Sequence, residues 1–112
     1  MNRGSANRLA LVATTTLLSA AALADVFSEA AKLGANTGAM AYCGDNFADD
    51  DDKGRYKMIR LKLLGEFGDL PDDEKAKALI LKKAAEDDGE YLGKRLDADR
   101  CTSLRKTLYL KY

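Results

Sequence analysis

The residues with the most evident chemistry are Cys43 and Cys101, the only cysteines in the sequence. In an oxidising compartment, two cysteines with no third most simply form one disulfide bond. Catalytic dithiols usually stand as C-x-x-C, where each thiol tunes the other, whereas these two lie far apart in the sequence. We therefore expect a structural disulfide that closes a long loop and contributes roughly 4 kcal/mol to stability in the loop-closure model.

The sequence contains no histidine and no tryptophan. The absence of histidine excludes the usual general base, the usual zinc ligand and the proximal ligand of most haems. It also excludes nucleophile systems of the Ser-His-Asp and Cys-His types, and the phosphate loop G-x-x-x-x-G-K does not occur. Carboxylates alone can perform acid–base chemistry, but a working acid needs an apolar pocket, and the acids here fall in predicted helix caps and loops. We expect no catalytic residues, no enzymatic activity and no cofactor.

An acidic run, Asp49-Asp50-Asp51-Asp52-Lys53-Gly54, invites comparison with a calcium-binding EF-hand loop. Such a loop has oxygen ligands at its first, third and fifth positions, glycine at the sixth and glutamate at the last. Counted from Asp49, the fifth and last positions are Lys53 and Arg60, where two cations replace ligands. The run therefore predicts a solvated acidic turn over residues 48–54 that caps the next helix. Asp49 and Asp51 remain weak candidates for a cation site.

Charge changes sign abruptly after this run. Asp45 to Asp52 holds five carboxylates and no base, and Lys53 to Lys62 holds five bases and no acid. If the chain binds another protein, we expect the contact on the basic side of the second helix with the acidic turn beside it. The candidate partner-binding residues are Asp50, Asp52, Arg55, Lys57, Arg60 and Lys62. The alternative is that they form the solvated side of a helix, with their stems over apolar surface.

The start of the chain has the pattern of a secretory signal peptide. Arg3 and Arg8 precede an uncharged run from Leu9 to Ala24, which ends in the tripeptide Ala-Leu-Ala. The pattern predicts cleavage after Ala24, so that residues 1–24 are removed and residues 25–112 form a single helical domain in the periplasm or outside the cell. A retained membrane anchor is the alternative, but spanning a bilayer takes roughly 20 apolar residues, and this run is shorter and diluted by threonine and serine.

The chain that remains has no charge excess that would favour nucleic acid. Two of the 18 basic residues are the leader arginines, so 16 remain against 18 acidic residues. Nucleic-acid binding typically requires a basic surface that neutralises phosphates. No later segment is apolar for long enough to span a membrane. We expect neither a nucleic-acid partner nor a membrane partner.

Apolar residues recur at helical period over most of the domain. They predict helices over residues 25–47, 55–67 and 74–87, and an interrupted helical segment over residues 90–112. The expected fold class is all-α: a small four-helix domain whose last helix restarts near Asp97 and is clamped to the first helix by the disulfide. For residues 107–112, the sequence leaves open a helix, a short strand or a frayed end.

Each of the first three helices has an expected buried face. Ser28 or Asp25 would cap the first helix, and its apolar stripe runs from Val26 to Phe47. Small residues on one side of the same helix, which would let another helix approach closely, are Ala31, Gly34, Ala35 and Gly38. The apolar residues of the second helix are Tyr56, Met58, Ile59, Leu61, Leu63, Leu64 and Phe67. So wide an apolar face is typical of a central or partner-contacting helix and permits a homodimer.

The third helix gives the clearest pattern. The residues expected to face inward are Ala76, Leu79, Ile80 and Ala84. Lys82 is expected in solvent with the other charged residues, and Gly89 is expected to end the helix as a left-handed cap.

The general plan, a small exported helical domain with one disulfide and no catalytic groups, is similar to that of periplasmic immunity proteins that block a toxin. The likeness is architectural and involves no shared motif. We expect a protein-binding or inhibitory module that recognises another exported protein.

A second hypothesis rests on the residues around the first cysteine. The segment Cys43-Gly44-Asp45-Asn46-Phe47 resembles the corresponding segment of the acid-activated periplasmic chaperones, which are also exported, helical and joined by one disulfide. The aromatic residue that those proteins carry two positions before the cysteine is Ala41 here. The resemblance covers about five residues and implies an envelope stress or acid chaperone. A third hypothesis is a carboxylate-based cation-binding protein.

Overall fold

The computed structural model describes residues 28–112. The predicted signal peptide, its cleavage point and Asp25 lie outside the described residues. Within them, the chain forms α1 (Glu29–Asn46), α2 (Asp50–Gly68), α3 (Asp72–Asp88), β1 (Glu90–Tyr91), β2 (Lys94–Arg95) and α4 (Ala98–Lys111). The predicted all-α class with four helices is confirmed. No helix in this part of the chain combines the length and apolar character needed to cross a bilayer.

α1 begins at Glu29, later than the predicted start at residue 25, and follows one of the two expected caps. Ser28 is the N-cap, and its side-chain oxygen accepts a hydrogen bond from the main-chain N–H of Ala31 at 3.1 Å. The helix ends at Asn46, and Phe47 is its C-cap. Phe47, expected on the buried stripe, is 42% exposed, because the chain has left the helix at this residue.

α1 packs against α3 at very short range. A Cβ atom on Gly34 would lie 2.1 Å from the carbonyl oxygen of Ala78, and one on Gly38 would lie 2.1 Å from that of Lys82. Neither glycine can therefore be replaced by a larger residue unless the helices move apart. The predicted close approach of a second helix to the small residues of α1 is confirmed.

This short distance also decides which face of α3 is buried. The expected inward residues were Ala76, Leu79, Ile80 and Ala84, but the buried residues of α3 are Ala78 and Ala85. Ile80 is 70% exposed, because only small side chains fit between two helix backbones at this distance. Lys82, expected in solvent, is also placed differently: its side chain is 15% exposed and its Nζ lies 3.1 Å from Glu86 Oε2.

α2 packs on another side of α1 and completes the core. Tyr56, Ile59 and Leu63 of its expected face are buried, and they belong to one apolar cluster with the two cysteines. Met58 and Leu61, expected to broaden that face, are 38% and 57% exposed. Only the narrow side of α2 centred on Ile59 therefore contributes to the core.

The acidic turn predicted over residues 48–54 is wrong, because α2 already begins at Asp50. Asp49 holds the N-cap position without a side-chain cap hydrogen bond, and the three following aspartates form the first helical turn. Negative charge is favoured there because the helix dipole places partial positive charge at the N-terminus. Gly54 consequently lies inside the helix, where glycine is unfavourable relative to alanine.

The segment after α3 is a β-hairpin, where the sequence predicts an interrupted helix. Gly89 ends α3 with φ of 68°, as predicted. Leu92 and Gly93 also have positive φ, 48° and 84°, and turn the chain between β1 and β2. Tyr91 holds the hairpin against α1, because its hydroxyl donates a hydrogen bond to Asn36 Oδ1 at 2.5 Å.

α4 begins at the predicted restart. Asp97 is its N-cap, with a side-chain oxygen that accepts a hydrogen bond from the main-chain N–H of Arg100 at 2.7 Å. The helix continues to Lys111, so that of the three possibilities left open for residues 107–112 the structure shows the helix.

The predicted disulfide is confirmed. Cys43 and Cys101 are joined by an S–S bond of 2.01 Å with their Cα atoms 5.5 Å apart, and both are fully buried. The bond clamps the first turn of α4 to the C-terminal half of α1, as the sequence predicts.

Candidate functional site

The six predicted partner-binding residues all lie on α2, but several hold α2 to other helices. Arg60 Nη2 donates a hydrogen bond to Glu86 Oε1 of α3 at 3.3 Å. Lys62 Nζ donates to the main-chain oxygen of Tyr112 at 2.6 Å. Lys57, by contrast, is exposed. The structure therefore divides the predicted surface into residues that brace the fold and residues that face solvent.

Asp52 belongs to the residues that brace the fold. Arg55 Nη1 donates a hydrogen bond to Asp52 Oδ1 at 2.9 Å, and Arg105 Nε of α4 lies 3.1 Å from Asp52 Oδ2. The Arg105 side chain is 12% exposed, and its Nε–H has no hydrogen-bond acceptor among residues 28–112, so its contact with Asp52 is an attraction between charges. Burial raises the pKa of the neighbouring Tyr56, and the positive charge of Arg105 opposes that rise. This group joins α4 to α2.

The first turn of α2 is the region of the weak cation candidates. The Asp50 side chain is 98% exposed and lies 3.7 Å from Lys53 Nζ. Within residues 28–112, no three acidic or cysteine side chains come together as metal ligands. Asp49 and Asp51 thus lack a third ligand in the described part of the chain.

The side of α2 opposite the core carries an exposed row of small and apolar residues. Gly54, Met58, Leu61 and Gly65 follow one another at spacings of four, three and four residues, which aligns them on one helix face. We call this row the outer ridge. All four residues are exposed, and a Cβ atom on either glycine would meet no atom within 4 Å. Packing within the described fold therefore does not require glycine at either position.

Cations border the outer ridge on both sides. By helical position, Lys57 lies on one side and Arg55 and Lys62 lie on the other. No acidic residue occurs between Lys53 and Gly65. The outer ridge is thus an exposed apolar strip with cations along both sides and with Asp50 and Asp51 one turn before Gly54.

A cleft of about 370 Å³ opens between α1 and α2 on the Lys57 side of the outer ridge. Its apolar lining comes from Met40, Ala41, Gly44 and Tyr56, and its charged lining from Asp45, Lys53, Lys57, Arg60 and Glu86. Lys57 therefore borders both the cleft and the outer ridge.

Sequence reasoning missed the outer ridge. It placed Met58 and Leu61 on one wide apolar face, typical of a central or partner-contacting helix, without separating them from the buried residues, and it did not single out Gly54 or Gly65. The signal was present in the helical period, because these four residues lie on the side of the helix opposite Ile59. It was obscured because Gly54 was assigned to a turn.

Comparison of the chain with protein-family models, with curated proteins and with solved structures gave no significant match.

Proposed function

We propose that this chain is an exported, non-catalytic protein-binding module whose outer ridge contacts an acidic region of another exported protein. The observation that carries the proposal is the exposure of Met58 and Leu61 in a row between cations, on the side of α2 that the core leaves uncovered. Contiguous apolar surface with a polar border is typical of protein interaction sites.

Export is supported by the disulfide and by the leader pattern. Structural disulfides form and persist in oxidising compartments such as the periplasm, and Cys43 and Cys101 are bonded. Mass spectrometry of protein from the native cell should find a chain that begins at Asp25 and contains no free thiol. An intact leader, or two free thiols in the purified protein, would contradict export.

The non-catalytic part of the proposal is supported by composition. The sequence has no histidine, and the aspartates at the start of α2 are mostly exposed, whereas a catalytic carboxylic acid needs an apolar surrounding. An inhibitory or immunity-type role fits this description, because inhibition requires only a rigid complementary surface.

The test is affinity capture from periplasmic extract with three baits. The processed wild-type chain and the Ile80→Glu variant should retain the same protein, and the Leu61→Glu variant should lose it. Ile80 is the matched control because it is an exposed aliphatic residue on another helix, 70% exposed against 57% for Leu61. Equal retention by all three baits would refute the outer ridge as the binding surface.

Added salt should weaken the capture, because opposite charges attract less at high ionic strength. Binding that does not change up to about 0.5 M salt would contradict an acidic contact region.

A second proposal, an acid-activated chaperone, is favoured by the ion pairs that join the helices. Arg105 with Asp52 and Arg60 with Glu86 link α2 to α4 and to α3, and both pairs need ionised carboxylates. Strong acid protonates carboxylates and would release these links. The chaperone proposal predicts exposure of apolar surface and suppressed aggregation of a client protein near pH 2–3. A chain that keeps its fold and leaves the client aggregating at that pH would exclude it.

A further inference from the structure

We infer that the groove between the β-hairpin and α4 is a second binding surface, which takes an acidic peptide segment of a partner protein. We call it the hairpin groove. Its volume is about 330 Å³, and it is lined by Tyr91, Lys94, Arg100, Ser103, Leu104 and Thr107. By helical position it lies on the side of α4 opposite Arg105, the residue that contacts α2. The hairpin groove is therefore separate from the outer ridge, and the two surfaces can be tested one at a time.

Regular structure builds both walls of the hairpin groove. Tyr91 and Lys94 are register partners of β1 and β2, so that their side chains leave the same face of the hairpin. The Tyr91 hydroxyl donates a hydrogen bond to Asn36 of α1, which holds this wall in place before any partner arrives. The wall from α4 follows the helical pattern i, i+3, i+4, i+7 and consists of Arg100, Ser103, Leu104 and Thr107.

The hairpin groove combines an apolar floor with a polar border. Tyr91 and Leu104 are half-buried and pack against the core. The exposed lining residues all carry a charge or a hydroxyl group; they are Lys94, Arg100, Ser103 and Thr107. A segment that places an apolar side chain next to a charged one would match this lining.

The two cations of the hairpin groove have no partner within the described fold. Neither Lys94 nor Arg100 forms an ion pair among residues 28–112, and the groove has no carboxylate in its lining from that part of the chain. Arg105 on the other side of α4 differs, because it faces Asp52. Positive surface that the fold leaves uncompensated favours a negatively charged occupant.

The acids nearest in sequence do not compensate these cations. Glu90 pairs in register with Arg95 and so belongs to the other face of the hairpin. The Asp97 carboxylate accepts a hydrogen bond from the main-chain N–H of Arg100 at 2.7 Å, as the cap of α4. Asp99 stands one turn before Ser103, beyond the groove lining. One carboxylate therefore borders the hairpin groove from outside, against two cations within it.

The shape of the hairpin groove favours a peptide segment. It opens broadly to solvent, whereas sites for small molecules enclose most of their ligand. A segment of a larger protein can fill an open groove, because the rest of that protein makes further contacts. The leader of this chain does not match the charge, since residues 1–24 contain no acid and Asp25 is the only one before Glu29.

The test is selection from a library of short random peptides displayed on phage, with the chain 25–112 immobilised as the target. Enriched peptides should carry aspartate or glutamate beside an apolar residue. The most enriched peptide is then synthesised, and its dissociation constant is measured by fluorescence anisotropy. A copy with asparagine and glutamine in place of its acids should bind at least about tenfold more weakly, because charge-assisted hydrogen bonds are the stronger ones. Enriched peptides without acids, or no enrichment, would overturn the inference.

The variants place the peptide on the molecule. Lys94→Ala/Arg100→Ala should bind it at least about tenfold more weakly than the wild-type chain. The matched control, Arg95→Ala/Lys106→Ala, removes one exposed cation from the same strand and one from the same helix, both outside the groove lining, and should bind as the wild-type chain does. Since all four side chains are exposed, both variants should keep the wild-type melting temperature within a few degrees. Equal affinities of the two double variants would overturn the hairpin groove as the site.

The outcomes separate this inference from the proposed function. Leu61→Glu should bind the peptide as tightly as the wild-type chain. If it loses the peptide while Lys94→Ala/Arg100→Ala keeps it, the peptide binds the outer ridge and the inference fails. If Leu61→Glu keeps both the peptide and the captured protein, the proposed function fails and the hairpin groove stands.

Two other occupants would each overturn the acidic segment. Inorganic phosphate that displaces the peptide below about 1 mM would assign the hairpin groove to a small anion. Concentration-dependent dimerisation in analytical ultracentrifugation that Lys94→Ala/Arg100→Ala abolishes would assign it to a second copy of this chain.

Discussion

At the scale of single residues, glycines have opposite roles in two helices of this fold. On α1, Gly34 and Gly38 are buried against the backbone of α3, and any side chain there would separate the helices. On α2, Gly54 and Gly65 face open space, so that a methyl group is sterically free. The same substitution should therefore destabilise one helix and stabilise the other.

Gly38→Ala is expected to lower the free energy of unfolding by about 1–3 kcal/mol or more, because overpacking forces backbone shifts. Gly54→Ala is the matched control and should raise it by roughly 0.5–1 kcal/mol, because alanine is the better helix former. Urea unfolding followed by circular dichroism measures both values. A Gly38→Ala variant as stable as the wild-type chain would show that α1 and α3 are not in close contact.

Asp52 illustrates how burial changes the contribution of an ion pair to the stability of the fold. Its side chain is 25% exposed and faces Arg105, which is 12% exposed, whereas Asp50 is 98% exposed beside Lys53. Exposed ion pairs contribute little to stability, but removal of one partner from a largely buried pair leaves the other charge without compensation. Neighbouring aspartates in one helical turn thus have different energetic roles.

Asp52→Asn is expected to lower the free energy of unfolding by about 1–3 kcal/mol, a range reduced because Asp52 retains some contact with solvent. Asp50→Asn should change it by less than about 0.5 kcal/mol. Thermal melts of the two variants beside the wild-type chain provide the comparison. Equal melting temperatures for the two variants would mean that Arg105 does not depend on Asp52.

At the scale of elements, the helices were predictable because apolar period, the Ser28 cap and the Gly89 cap agreed with one another. The buried face of α3 was not, because α3 has two candidate faces. One carries Leu79 and Ile80 and the other carries Ala78 and Ala85. Hydrophobicity favours the first, but the narrow gap beside α1 accepts only the second. Sequence patterns report how apolar a face is and not how close its neighbour lies.

The same limit explains the outer ridge. In sequence, an exposed row of apolar residues cannot be told from a wider core face, and Met58 and Leu61 were placed on one face that was either central or partner-contacting. The four charged candidates from Arg55 to Lys62 were predicted on α2 and lie there, whereas Asp50 and Asp52 were predicted in a turn and lie in the first turn of the helix. The contacts of Asp52, Arg60 and Lys62 with other parts of the fold depend on the packing of α3 and α4, which no local pattern specifies.

The hairpin is held to α1 by a single side-chain hydrogen bond that high pH can remove. Burial raises the pKa of the Tyr91 hydroxyl, which donates to Asn36 Oδ1. Since the pKa in the folded chain lies above the ordinary value near 10, the stabilisation is fully present below about pH 10 and is lost as the pH rises through the folded pKa. Burial and Glu66 likewise raise the pKa of Tyr112, to about 12.

Tyr91→Phe is expected to lower the free energy of unfolding by about 1 kcal/mol at neutral pH, because the hydrogen bond to Asn36 is lost. The variant should also lose less stability than the wild-type chain as the pH rises above about 10, because one titrating group has been removed. Urea unfolding at several pH values tests both effects. Tyr109→Phe is the control, because Tyr109 is exposed. Parallel pH profiles for Tyr91→Phe and the wild-type chain would contradict the role given to Tyr91.

At the scale of the whole molecule, the Cys43–Cys101 disulfide is the only covalent cross-link among the described residues. It spans 58 residues of sequence, and a loop of this length is worth roughly 4 kcal/mol in the entropy model. Reduction should therefore lower the melting temperature by many degrees. A Cys43→Ala/Cys101→Ala variant should melt at the temperature of the reduced chain and should not respond to a thiol reagent. If reductant leaves the melting temperature of the wild-type chain unchanged, the disulfide does not stabilise the fold.

The position of this bond also decides what a single proteolytic cut would release. The exposed link between α2 and α3, around Pro71, lies inside the covalent ring that the two cysteines close. A single cut there would free no fragment: the two pieces would migrate as one species on a gel without reductant and as two with it. The molecule can therefore be cleaved once in this link and still retain α2, because the disulfide keeps the two pieces joined.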